Sequence, residues 1–175
     1  TKDLIHYESE TAIGILGGTG CIIKVEGLYH LYYCVFEDQP QRQYVCHATS
    51  TDLTNWTKYP VETFGPDESI YLLTDWRDPH VIWNEEEKCW WMILCAQNQG
   101  NTKRRGCVGL CKSADLHHWT CCEPLYAPQS SMSAYECPDL FYMNGWWYLV
   151  FSQFTDRFQT LYRMSRSCNG PWIRP

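Results

Sequence analysis

Ser50-Thr51-Asp52-Leu53-Thr54-Asn55-Trp56 returns 63 residues later as Ser113-Ala114-Asp115-Leu116-His117-His118-Trp119. A degenerate copy, Ser165-Arg166-Ser167-Cys168-Asn169-Gly170-Pro171-Trp172, ends 53 residues beyond that. Near the start, Asp3-Leu4-Ile5-His6-Tyr7 has the same outline, with Tyr7 placed 49 residues before Trp56. Repetition at such a period decides the architecture before any single element does. Each of the last three copies follows a strand dense in aromatic rings: Leu28–Tyr33, Cys89–Leu94 and Trp146–Phe151. Another apolar run precedes each of these, starting at Gly20, His80 and Leu140. A further run follows the first two, over Gln43–Ala48 and Gly106–Cys111.

The repeating unit therefore reads strand, turn, strand, loop, strand, polar turn, Trp. Glu26-Gly27 and Asn144-Gly145 are hairpin signals, and Asn84-Glu85-Glu86-Glu87 is the polar turn of the middle unit. No long segment carries a helical period. Antiparallel units of this size predict an all-β fold, a β-propeller. The expected divisions are the end of a first blade over 1–14 and then blades over 15–65, 66–128 and 129–175. Propellers close with about four to eight blades, so the chain reads as an incomplete ring of about three blades, a piece of a longer protein or a protomer completed by partners. Self-association through exposed blade edges is expected on the same ground.

Composition narrows the function. The chain has 175 residues, 45% of them hydrophobic and 19% charged, which argues against disorder. A net charge of −6 makes nucleic acid and anionic membranes poor partners. No apolar run approaches the roughly 18 residues of a membrane span, and no signal peptide is visible. Aromatic residues reach 15%, with 9 Trp, 12 Tyr and 6 Phe, which suits strands and sugar-stacking surfaces. The 11 Cys are an odd number, several inside apolar runs, which predicts reduced core thiols and a cytoplasmic rather than secreted protein. Cys107, Cys111, His117, His118, Cys121 and Cys122 match no structural zinc spacing, so neither metal nor cofactor is expected. His117-His118 reads as a solvated loop pair.

Chemistry is expected where innermost strands converge on the axis. Thr19, Asp78 and Glu136 occupy comparable positions at the starts of those strands, nine, twelve and ten residues before Leu28, Trp90 and Trp146. Two carboxylates at one site are what glycosidic-bond cleavage needs. Pro79 and Pro138 predict extended backbone at Asp78 and Cys137. Arg77 can bind a sugar hydroxyl or pair with a carboxylate, and Trp76 is the aromatic most readily assigned to the pocket. The plainer reading makes Arg77-Asp78 a structural ion pair and Glu136 a solvated loop acid.

Trp76-Arg77-Asp78-Pro79 resembles the Arg-Asp-Pro motif of glycoside hydrolase family 32, the invertase, levanase and inulinase group. Glu136-Cys137-Pro138-Asp139-Leu140-Phe141 resembles its Glu-Cys motif, and Gly18-Thr19-Gly20-Cys21 its second-blade Ser-Gly-Ser region. Asp3-Leu4-Ile5-His6-Tyr7 is similar to the Asp-Leu-x-His-Trp that ends the first blade. The resemblance implies a five-bladed propeller followed by a β-sandwich, and retaining cleavage of β-fructosides such as sucrose, levan or inulin. It implies Asp78 as transition-state stabiliser, contacting fructose hydroxyls with Arg77, and Glu136 as general acid/base. Thr19, Trp76 and Cys137 are expected to bind the saccharide beside them. The family's nucleophile is an Asp in an Asn-Asp-Pro-Asn-Gly motif, and no Asn-Asp-Pro occurs in these 175 residues. The chain alone is therefore expected to be inactive. Alternatives are a related five-bladed enzyme acting on arabinose or xylose polymers, a carbohydrate-binding propeller without chemistry, and a protein-interaction propeller.

Overall fold

A computed structural model describes residues 3, 5–7, 12–100, 103–130, 132–154 and 158–175. Among these residues eleven strands form three antiparallel sheets in chain order. The first holds β1 (Gly20–Val25), β2 (Leu28–Asp38), β3 (Gln41–Ser50) and β4 (Thr57–Lys58). The second holds β5 (Tyr71–Asn84), β6 (Cys89–Asn98), β7 (Gly106–Ser113) and β8 (Thr120–Tyr126). The third holds β9 (Glu136–Met143), β10 (Trp146–Phe154) and β11 (Phe158–Ser165). Among the described residues the only helix is a single 3₁₀ turn at Pro60–Glu62. The architecture is an incomplete β-propeller with three blades.

Turn chemistry sets the hairpins. Glu26 and Gly27 take φ of 50° and 90°, and Asn144 and Gly145 take 51° and 83°. These are the left-handed pairs that close two-residue hairpins. The repeated Asp makes one kind of turn each time. Asp52 Oδ1 accepts the amides of Thr54 and Asn55 at 2.9 and 2.8 Å, and Asp115 Oδ1 those of His117 and His118 at 2.9 and 2.8 Å. Asp3 takes Ile5 and His6 in the same way, at 3.0 and 2.8 Å. Leu4 and residues 1, 2 and 8–11 of the expected first-blade tail lie outside the described residues. The amides, Asn55 foremost at Asp52 and His118 at Asp115, hold both carboxyls well below the ordinary range.

The repeat differs from expectation in one respect. Trp56 and Trp119 do not close their blades, because a fourth strand follows each, β4 and β8. Pro124 lies inside β8, where it is tolerated because β8 is an edge strand.

Strand alternation in the second sheet feeds two cores. Met92, Leu94 and Ala96 of β6 pack with Cys107 and Cys111 of β7 toward Tyr32 and Val45 of the first sheet. Trp91 and Ile93 pack with Val108 and Leu110 toward Tyr135, Leu140, Leu149 and Phe151 of the third. Successive side chains point to opposite faces, so a blade covered on both sides reads as an unbroken apolar run. All eleven cysteines are free, and Cys107 and Cys111 are fully buried as core residues. The outer face of the third sheet carries a stacked row, Phe141 on Tyr148 at 5.4 Å and Tyr148 near Tyr162 at 6.1 Å.

Candidate active site

The site forms where β1, β5 and β9 begin or bend. Thr19 directly precedes β1, and Gly20 brings that strand hard against β2. A β-carbon at Gly20 would stand 2.0 Å from the Tyr32 carbonyl oxygen, so no larger residue fits there. In β5 the register slips, with Arg77 opposite Cys95 but His80 opposite Ile93. In β9 it slips identically, with Glu136 opposite Ser152 but Asp139 opposite Val150. Each slip places two residues against one, which is a β-bulge.

The matching bulges correct the equivalence expected from counting. Glu136 takes the place of Arg77, Cys137 that of Asp78, Pro138 that of Pro79, and Asp139 that of His80. The backbone differs from expectation too. Asp78 and Cys137 have φ of 58° and 47° rather than the extended value expected before proline. Proline closes the right-handed helical basin to its predecessor, and the bulge takes the left-handed one. Such residues cost on the order of 1–3 kcal/mol each and gather at functional sites.

Hydrogen bonds from both neighbouring sheets meet at Asp78, whose residue is 7% exposed. Its Oδ1 accepts the Thr19 hydroxyl of the first sheet. Its Oδ2 accepts the Cys137 backbone N–H of the third sheet at 2.9 Å. Each carboxylate oxygen can accept a further bond, so capacity for a ligand hydroxyl remains. Arg77 donates to Glu136 Oε1 from Nη2 at 2.7 Å and to Asp75 Oδ1 from Nη1 at 2.5 Å. Burial opposes the Arg77 charge, but Cys95, Asp75 and Glu136 outweigh it and hold the guanidinium above its ordinary value. Gln43 fixes the bend from outside, accepting the Trp76 amide at 2.8 Å.

Thr19, Asp78 and Cys137 line a cleft of about 210 Å³, together with Pro79, His80, Pro138 and Asp139. That is below the roughly 300–1,000 Å³ of a complete small-molecule site. His80 Nε2 lies 3.2 Å from Asp139 Oδ1 across the cleft. Position at the start of an innermost strand does not single out these two residues, although each follows its motif proline directly. Trp76 needs a correction. It is fully buried, 5.1 Å from Tyr71 and 6.3 Å from Phe64, and lines no part of the cleft. Alternation turns it into the core because its neighbour Arg77 faces the site.

Cys137 is exposed, yet its thiol is pushed up to about 11, by desolvation first and then by Asp78 and Glu136. From the ordinary 9.0, that lowers its thiolate fraction at neutral pH about a hundredfold. Alkylation at pH 7.5 followed by peptide mass spectrometry is expected to find Cys137 slow to react. Labelling there as fast as at an unperturbed surface thiol contradicts this environment.

The glycosyl hydrolases family 32 N-terminal domain matches residues 66–168, which include both bulges. The chain belongs to glycosyl hydrolase family 32. It is 29% identical over 169 residues to the sucrose-6-phosphate hydrolase of Escherichia coli, covering 87% of this chain and 33% of that protein. It is 33% identical over 107 residues to the levanase of Bacillus subtilis (strain 168), covering 60% of this chain and 14% of the levanase. Among solved structures, sucrose-6-phosphate hydrolase from Lactobacillus gasseri superposes with a TM-score of 0.73 at 20% identity, over 86% of this chain and 32% of that one. The chain thus spans a third or less of the length of these three proteins, and the last likeness shows the shared fold.

Proposed function

We propose that the chain supplies the acid/base and stabilising half of a retaining glycosidase site that cleaves β-fructosides of the sucrose or levan type. The observation that carries this is the Asp78 carboxylate, held by Thr19 and Cys137 from two flanking blades, while Arg77 beside it holds Glu136. Family membership and the names of the relatives, a sucrose-phosphate hydrolase and a levanase, support the substrate class.

In this reading Glu136 protonates the leaving glycosidic oxygen and later removes a proton from the incoming water. Asp78 is fixed by Thr19 and the Cys137 N–H before substrate arrives, so it stabilises the oxocarbenium-like transition state without reorganising. Arg77 orients Glu136, and Thr19 orients Asp78. The attacking carboxylate comes from outside these residues, since no Asn-Asp-Pro occurs among them. The isolated chain, incubated with sucrose, inulin and levan, is expected to release no fructose above the uncatalysed rate. Release at an enzyme-like rate overturns this division of labour.

A further inference from the structure

Away from the cleft, three histidines and one glutamate gather between the first and second sheets. His47 of β3 is 3% exposed, and its Nδ1 lies 2.6 Å from Glu62 Oε2 in the 3₁₀ turn. His117, from the repeated Asp-Leu turn of the second sheet, sets its Nδ1 2.9 Å from Glu62 Oε1. It is half-buried rather than part of a solvated loop pair, whereas His118 is exposed and bonded to Asp115 within its own turn. Among the described residues no other group of three such side chains converges this closely. The cysteines near His117 in sequence take no part, because Cys107, Cys111 and Cys121 pack into the core toward the first sheet and Cys122 into the core toward the third.

We propose that His47, Glu62 and His117 form a Zn²⁺ site that ties the first blade to the second. Their ligand atoms all lie within 4.8 Å of one another, and a tetrahedral ion with bonds of about 2.1 Å draws such atoms to roughly 3.4 Å. Two imidazoles and a carboxylate are a donor set suited to zinc, with water in the fourth position. The supporting shell is in place as well. His30 Nδ1 stands 3.1 Å from His47 Nε2, so a His47 metallated at Nδ1 donates its remaining N–H to His30. That is the arrangement which fixes the ring and tautomer of a metal-bound histidine. Tyr32 stacks on His47 at 4.6 Å and limits its rotation. Entry is open, because Glu62 and His117 line a surface cleft of about 320 Å³ and His47 lines a second one beside it.

The test is zinc uptake by the full chain after dialysis against a chelator, with Co²⁺ as a spectroscopic probe. About one Zn²⁺ per chain is expected, with visible cobalt absorption that lacks the thiolate charge-transfer band. His117→Ala and Glu62→Gln, at two partly exposed positions, are expected to abolish stoichiometric uptake with circular dichroism unchanged. His30→Gln is expected to weaken it by about 10–100-fold, as loss of an outer partner does. No stoichiometric uptake, uptake indifferent to these substitutions, or a strong thiolate band from the cysteines each overturns the proposal.

Discussion

In a protein that carries this chain together with an Asn-Asp-Pro segment, Glu136→Ala is expected to lower kcat on sucrose or levan by about 10²–10⁴-fold, the contribution of a positioned acid/base. The defect should shrink for a fructoside whose leaving group is a nitrophenolate, because that group departs without a proton. This split separates an acid/base from a residue that only supports the fold. Asp78→Asn is expected to lower kcat by about 10²–10³-fold, on the scale of lost electrostatic stabilisation. The amide still offers an oxygen to the Cys137 N–H, and its NH₂ can face the Thr19 hydroxyl, which accepts as well as donates. The fold is therefore kept while the charge is lost. Steady-state kinetics with both substrates is the check. Rates unchanged by either substitution point instead to a binding or interaction propeller.

The second large effect is on stability. Trp76 is fully buried between the first two blades and sits over Gly109, where any β-carbon would be 3.5 Å from the indole. Trp76→Ala is expected to cost about 3–5 kcal/mol, a fall of roughly 6–20 °C in Tm for a chain of this size. Trp76→Phe should recover most of that. The Trp76 Nε1–H has no hydrogen-bond partner, and phenylalanine removes this unsatisfied donor along with some volume. Thermal denaturation followed by circular dichroism decides it. If Trp76→Ala leaves Tm unchanged but weakens saccharide binding, the ring belongs to the sugar site and not to the core.

Trp76 also shows where the sequence stops being legible. Its place beside Arg77 and Asp78 invites a pocket assignment, but period-2 alternation sends consecutive residues of β5 to opposite sides. The hairpins at Glu26-Gly27 and Asn144-Gly145 are readable because left-handed backbone favours Gly and Asn, which mark both turns through Gly27, Asn144 and Gly145. The β8 strand was not, since Thr120–Tyr126 lacks alternation and contains Pro124. Asp78 and Glu136 were found through their motifs, yet their relation was off by one position. A bulge adds a residue without leaving any mark in composition, so only the pairing register shows that Glu136 matches Arg77. His117 illustrates the remaining limit. Its partner Glu62 is 55 residues away on another blade, and no local pattern encodes that meeting.

The central claim is that Asp78 and Glu136 face one fructosyl unit from adjoining blades. The most direct measurement is a crystal structure of the Glu136→Gln protein, with its Asn-Asp-Pro segment present, soaked with sucrose. The expected result places the glycosidic oxygen about 2.6–3.2 Å from the residue 136 side chain, with Asp78 bonded to the fructose hydroxyls. Sucrose bound elsewhere, or bound with Asp78 still held only by Thr19 and Cys137, contradicts the account.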